Sequence, residues 1–205
     1  MKTVDALLKH KIMGLVRTND QATGQAMADA MVNAGIRAIE ITLTTPGALD
    51  IVEKLSENKD LIVGVGTVIS KENVKSAEKA GAKFIVSPNT DSDVIEKTKS
   101  LDMVSMPGIA TATEVGRALK AGADILKLFP ASTYGPAHLK ALRDPYPGQF
   151  WCPTGGISLG SVDDWFAAGA NLIGLGGPLT RGGLAKVSEN VTAFLNAVSS
   201  ANKVG

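Results

Sequence analysis

One phrase recurs four times along this 205-residue chain, and few folds accommodate such a repeat. Asn33-Ala-Gly-Ile-Arg-Ala-Ile-Glu-Ile-Thr42 is echoed by Lys79-Ala-Gly-Ala-Lys-Phe-Ile-Val-Ser-Pro88. It returns as Lys120-Ala-Gly-Ala-Asp-Ile-Leu-Lys-Leu-Phe129 and as Ala167-Ala-Gly-Ala-Asn-Leu-Ile-Gly-Leu-Gly176. The glycines stand at 35, 81, 122 and 169, at intervals of 46, 41 and 47 residues. Each echo reads as a helix end, a glycine suited to the left-handed cap conformation, then a buried strand. Solenoids and propellers also repeat at such periods, but each interval here holds a second strand–helix pair that neither explains well.

Those second strands are predicted at 12–16, 61–65, 103–106 and 150–153. With the four echoes they make eight, each nearly continuously apolar, as parallel strands covered on both faces are. Helix starts are signalled by Asn19 or Asp20, by Thr45-Pro46 with proline in a first helical turn, and by Ser70. Thr111-x-x-Glu114 reads as a capping box, and Ser158 or Ser161 precedes the helix with Trp165 and Phe166. An extra amphipathic helix (Val4, Leu7, Leu8) leads the chain, and the last helix is expected at about 184–198. The pattern predicts a single α/β domain over residues 1–205, a (β/α)8 TIM barrel with an extra N-terminal helix. A doubly wound open sheet is the structural alternative.

Composition narrows the function. Lys plus Arg is 21 against 20 acidic residues, a formal net charge of +1 without a basic block, so neither nucleic acid nor an anionic membrane is an expected partner. No run of 18 apolar residues suggests a membrane span, and the first eleven residues lack the apolar core of a signal peptide. Cys152 is the one cysteine, which excludes an intramolecular disulfide and reads as a core thiol. His10 and His138 lack ligand spacing, so neither a metal nor another cofactor is expected.

In a barrel, chemistry gathers at the carboxyl ends of the strands. Those positions hold Arg17, Glu40 and Thr42, Gly64-Val-Gly-Thr67, Ser87-Pro88, Pro107-Gly108, Lys127 and Phe129, Pro153-Thr-Gly-Gly156, and Gly174-Leu-Gly-Gly177. Alternation puts Glu40 and Thr42 on the inner face while Ile39, Ile41 and Leu43 point to the helices. Lys127 shares its face with Ile125 and Phe129, an apolar wall that disfavours its ammonium form. A neutral lysine amine attacks a carbonyl to form a Schiff base. Lys127 is thus the candidate nucleophile and Glu40 its candidate proton shuttle. A snorkelling lysine and a buried Glu–Lys pair kept for folding are the structural alternatives; such pairs stabilise little, because desolvation offsets their attraction. The pairs Gly155-Gly156 and Gly176-Gly177 fall in the loops where barrels hold phosphate, and Arg17 suits a carboxylate or phosphate. Glycine also simply permits tight turns, and an arginine at a strand end is often only a surface residue.

The ordered set Glu-Ile-Thr (40–42), Gly-Val-Gly-Thr-Val (64–68), Ser-Pro (87–88), Lys-Leu-Phe-Pro (127–130) and Pro-Thr-Gly-Gly (153–156) resembles the 2-keto-3-deoxy-6-phosphogluconate (KDPG) and 4-hydroxy-2-oxoglutarate aldolases over essentially the whole chain. The resemblance implies a class I, metal-independent lyase acting on a small phosphorylated 2-keto acid. KDPG would give pyruvate and glyceraldehyde 3-phosphate; 4-hydroxy-2-oxoglutarate would give pyruvate and glyoxylate. It implies that Lys127 is the Schiff-base lysine and Glu40 the general acid/base, with Arg17, Thr67 and Pro88 around the pyruvyl carboxylate. Thr154 would contact sugar-acid hydroxyls, and Gly155, Gly156, Gly176 and Gly177 the phosphate. A cytoplasmic homotrimer is the matching expectation. Two departures stand out. Thr44 occupies a position where many relatives carry arginine, which favours Arg17 as the carboxylate partner. Gly177-Pro178 lacks a serine hydroxyl found in many relatives. Thr154, where galactonate-epimer enzymes tend to have valine, favours the gluconate-type substrate. The competing functions are that galactonate aldolase, another phosphate-binding barrel enzyme, or a barrel that only binds a phosphorylated ligand.

Overall fold

The computed structural model describes residues 2–201; residue 1 and residues 202–205 of the span assigned to one domain lie outside the described residues. Strands and helices alternate almost throughout. The order is α1 (Lys2–His10), β1 (Ile12–Val16), α2 (Gln21–Asn33), β2 (Ala38–Thr42), α3 (Ala48–Ser56), β3 (Ile62–Gly66) and α4 (Lys71–Lys79). Next come β4 (Phe84–Val86), α5 (Ser92–Lys99), β5 (Val104–Met106), β6 (Gly108–Ile109), α6 (Ala112–Lys120), β7 (Ile125–Leu128) and α7 (Ala131–Arg143). Last are β8 (Phe150–Trp151), α8 (Val162–Ala167), β9 (Ile173–Leu175), a four-residue α9 (Gly177–Thr180) and α10 (Val187–Ala201).

Every strand pairing is parallel, in one six-stranded sheet ordered β5-β4-β3-β2-β1-β9 and one three-stranded sheet ordered β6-β7-β8. The predicted fifth strand is split into β5 and β6 because Pro107 has no N–H to give to a ladder. Backbone bonds still cross between the sheets: Asp124 N–H to Ser105 O (3.0 Å) and Gly174 N–H to Pro153 O (2.9 Å). The fold is α/β, with parallel strands curving into a half-barrel.

Alternation sorts the core into two. Ile39, Ile41, Val63, Val65, Leu126 and Leu128 join the large cluster between strands and helices. Met13, Ala38, Phe84, Val86, Met106, Ile125 and Cys152 form the smaller inner cluster, which Val4 and Leu7 of α1 complete. The predicted N-terminal helix is therefore packed into the core through its apolar stripe.

All four echoed glycines adopt positive φ: 115° at Gly35, 91° at Gly81, 93° at Gly122 and 94° at Gly169. After each, the next N–H reaches back five residues: Ile36 to Met31 O, Ala82 to Ala77 O, Ala123 to Ala118 O and Ala170 to Trp165 O, at 3.0–3.1 Å. These bonds satisfy carbonyls that a helix end would otherwise orphan. Asp20, not Asn19, caps α2 by accepting from Thr23 N–H at 2.8 Å, Ser70 caps α4, and the Thr111–Glu114 box is closed. One local expectation shifts. Pro46 stands before α3 rather than in its first turn, because Gly47 at φ 66° is the cap and Thr45–Ala48 is already a hydrogen-bonded turn. Of the two serines expected before the Trp165–Phe166 helix, Ser161 directly precedes α8, and Ser158 caps the 3-10 turn (Leu159–Ser161) that leads into it.

Gly122→Ala and Gly169→Ala separate backbone strain from crowding. A Cβ at Gly122 meets only Lys99 Cγ at 3.5 Å, whereas one at Gly169 would overlap the Arg143 guanidinium. Gly122→Ala is expected to cost about 1–2 kcal/mol in urea unfolding, the left-handed penalty for an L side chain. Gly169→Ala should cost more, and equal losses would refute the distinction.

Candidate active site

β2 and β7 each carry one ionisable side chain into the inner face: Glu40 is 1% exposed and Lys127 5%. Two positions along β3, paired with β2, the side chains are absent. Gly64 lies opposite Glu40 and Gly66 opposite Thr42. A Cβ on Gly66 would overlap Glu40 Oε1, so this glycine makes the space in which the carboxyl lies. A Cβ on Gly64 would strike the Phe84 ring, which fills the floor beneath.

Glu40 is buried with only partial compensation. Its Oε2 has no hydrogen-bond partner among the described residues. Burial pushes its carboxyl above the ordinary glutamate value, and the charges of Lys127 and Arg17 pull it part of the way back. Lys127 takes part in none of the ion pairs among the described residues, which are Lys71–Asp93, Lys99–Asp124 and Lys186–Glu189. A Glu40–Lys127 contact pair kept for folding is therefore not what these strands build. Phe129 departs from the expected apolar wall: it is 37% exposed, with its ring centroid 4.7 Å from Lys127 Nζ. A ring face at that distance attracts the ammonium. The apolar surroundings of Lys127 come instead from Ile125 and the inner cluster below it.

Arg17 follows β1 and its guanidinium bridges two loops, donating through Nη1 to Thr44 Oγ1 (2.9 Å) and through Nη2 to Thr67 Oγ1 (3.2 Å). Thr67 has φ 60°, an unusual conformation for a β-branched residue. Thr42, expected to meet substrate, has its hydroxyl within hydrogen-bond distance of Thr44 Oγ1 (3.0 Å) and Thr45 Oγ1 (3.3 Å). Thr45 in turn accepts from Thr18 N–H at 3.2 Å. This string of hydroxyls under Arg17 escaped the sequence analysis; the run Thr42-Leu-Thr-Thr45 was its only signal. Gly66 stood in the strand-end run Gly64-Val-Gly-Thr67, with no local signal that it adjoins Glu40.

On the far side, buried Thr154 donates to Cys152 O (3.3 Å) and bridges to Gly174, where a Cβ would overlap it. Burial pushes the Cys152 thiol up to about 12, consistent with an inert core thiol. Gly155 (φ 96°) packs against Phe129, and Gly156 (φ 78°) lies over Ser132. Gly176 caps the short α9, which begins at Gly177 with Pro178 in its first turn. Pro88 is half-buried after β4, and a Cβ on Gly108 would overlap its carbonyl oxygen. Glu40, Lys127, Arg17 and Thr67 are thus linked by charge or hydrogen bonds, while Gly156 and Gly177 border a cavity at the strand-seven and strand-eight loops.

A family model described as KDPG and KHG aldolase matches residues 4–193. The chain belongs to this aldolase family. It is 37% identical over 177 residues to a 2-dehydro-3-deoxy-phosphogluconate aldolase of Pseudomonas aeruginosa, covering 85% of this chain and 80% of the relative. It is 35% identical over 185 residues to a 2-dehydro-3-deoxy-6-phosphogalactonate aldolase of Escherichia coli, covering 88% and 89%. The crystal structure of the 2-keto-3-deoxy-6-phosphogluconate aldolase of Zymomonas mobilis superposes with a TM-score of 0.84 at 28% identity, covering 93% of this chain and 95% of that one.

Glu40 gives a direct test of the electrostatics. Its carboxyl carbon resonance, identified by its loss in Glu40→Gln, is expected to titrate above the ordinary value of about 4.3. Lys127→Met should raise the midpoint further by removing a charge that lowers it. Because the folded value is raised, this group's contribution to stability is full below the unfolded value and is lost as pH rises through the folded one. A midpoint at or below the ordinary value would contradict the burial argument.

Proposed function

We propose that the protein is a class I aldolase that cleaves KDPG to pyruvate and glyceraldehyde 3-phosphate, and 4-hydroxy-2-oxoglutarate to pyruvate and glyoxylate. The observation that carries this reading is a buried lysine and a buried glutamate at one site, neither of them in an ion pair among the described residues. Burying both without pairing is costly, and chemistry is the compensating reason. The names of the curated relatives support the same activity.

The free amine of Lys127 attacks C2 of the keto acid, and loss of water from the adduct leaves an iminium. As the C3–C4 bond breaks, its electron pair flows into that cation, while Glu40, through a water, takes the proton of the C4 hydroxyl. The aldehyde departs, the enamine takes a proton back at C3, and water hydrolyses the iminium to pyruvate and free Lys127. A carboxyl held above the ordinary range is the stronger base for this shuttle and is more readily reprotonated for the return step. Arg17, Thr67 and Pro88 receive the carboxylate; Thr42 supports Arg17 through Thr44; Phe129 and Thr154 flank the carbon chain. Gly155, Gly156, Gly176 and Gly177 receive the phosphate.

The same reading includes a single closed (β/α)8 barrel domain. Its support is the set of backbone bonds that run from β5 to β7 and from the end of β8 to β9. A cytoplasmic homotrimer goes with it, for which size-exclusion light scattering would give three times 21.2 kDa. The galactonate epimer is the second substrate reading, favoured by the 35% identical relative; Thr154 supports the gluconate form.

Borohydride reduction in the presence of pyruvate is expected to add a pyruvyl group to Lys127, located by peptide mass mapping. No adduct, or full activity in Lys127→Ala, would defeat the proposal. Gly66→Ala, which pushes a methyl into the space of the Glu40 carboxyl, should lower kcat by about 100-fold or more in a lactate-dehydrogenase-coupled assay.

A further inference from the structure

A cavity of about 580 Å³ opens beside the strand-seven and strand-eight loops, bordered by Gly156, Ser158, Gly177, Arg181, Asn190 and Phe194. Arg181 is the one charged side chain among its lining residues. No ion pair or side-chain hydrogen bond engages its guanidinium among the described residues. Its backbone, by contrast, is pinned: Asn190 Nδ2 on α10 donates to Arg181 O (2.9 Å) and to Leu179 O (3.1 Å). Leu179 is fully buried, so the turn after α9 is anchored on both sides of Thr180. Gly177 leaves open space, since a Cβ there would meet nothing within 4 Å. A fixed turn thus presents an uncommitted cation to a cavity that begins at two glycines assigned to the phosphate.

We propose that Arg181 is a specificity-determining residue that binds the phosphate end of the substrate, so that the enzyme distinguishes phosphorylated from unphosphorylated 2-keto acids. This rests on the aldolase reading and names a group that reading does not use. A guanidinium offers a planar fork of donors that suits phosphate oxygens, and it retains its charge throughout the working pH range. Asn190 is the positioning residue that holds the turn carrying it.

Two reactions of the same enzyme separate the two ideas. Cleavage of the phosphorylated substrate, whichever C4 epimer the wild type prefers, uses the distal phosphate. Deuterium exchange into the methyl group of pyruvate uses Lys127 and Glu40 but no phosphate. Arg181→Met is expected to raise KM for the phosphorylated substrate about tenfold or more, with kcat within about twofold, and to leave pyruvate exchange unchanged. Arg181→Lys should fall between, and orthophosphate should inhibit the wild type competitively but Arg181→Met more weakly. Unchanged KM in Arg181→Met, or equal losses in cleavage and exchange, would overturn the assignment. A wild type that performs neither reaction would instead overturn the aldolase reading.

Discussion

Side chains leave a strand alternately to its two faces, and the organisation of this molecule depends on that constraint. On β2 it sends Ile39 and Ile41 among the helices and Glu40 and Thr42 inward. On β7 it sends Leu126 and Leu128 outward, and Ile125 and Lys127 inward. The apolar half of each strand holds the layers together through burial, worth about 1.5–3 kcal/mol for each large side chain. The other half is thereby available for charge. A register slip of one residue would exchange the two sets, placing Glu40 and Lys127 against the helices and exposing isoleucines to the site.

That arrangement has an electrostatic cost, and the surroundings tolerate it without abolishing it. Glu40 Oε2 has no donor among the described residues, its carboxyl is raised by burial, and the charges of Lys127 and Arg17 oppose the rise. A contact salt bridge would have relieved the strain but consumed both groups. Gly66 contributes by being small, because the carboxyl occupies the place of a side chain. The part-exposed Phe129 presents its ring face to the lysine nitrogen.

Around this pair, polar residues serve mainly to hold other polar residues. Thr44 and Thr67 hold Arg17, Thr42 and Thr45 stand behind Thr44, and the Thr18 backbone ends the string. Thr44 therefore belongs to the same cluster, as a hydroxyl that accepts from Arg17. At the opposite rim the same division holds, with Asn190 donating to the backbone carbonyls of Leu179 and Arg181, whose guanidinium has no ion pair among the described residues.

The four echoes made the element order legible, because a glycine cap followed by an apolar run is a local signal. Each of those glycines is left-handed in the fold, and the inward placement of Glu40 and Lys127 followed from counting by two. The split at Pro107 was foreseeable from proline chemistry, and the start of α3 was misplaced because Gly47 competed with Pro46 for the cap. What the sequence by itself determined was therefore the succession of strands and helices, their inner and outer faces, and the identity of the two buried ionisable groups. Tertiary structure alone decided that Arg17 meets Thr44 and Thr67, 27 and 50 residues away, that Gly66 yields its space to Glu40, and that Arg181 faces a cavity shared with Gly156. The reason is range. Periodicity and capping act within a few residues, whereas these contacts depend on the register between strands and the path of loops that no local pattern encodes.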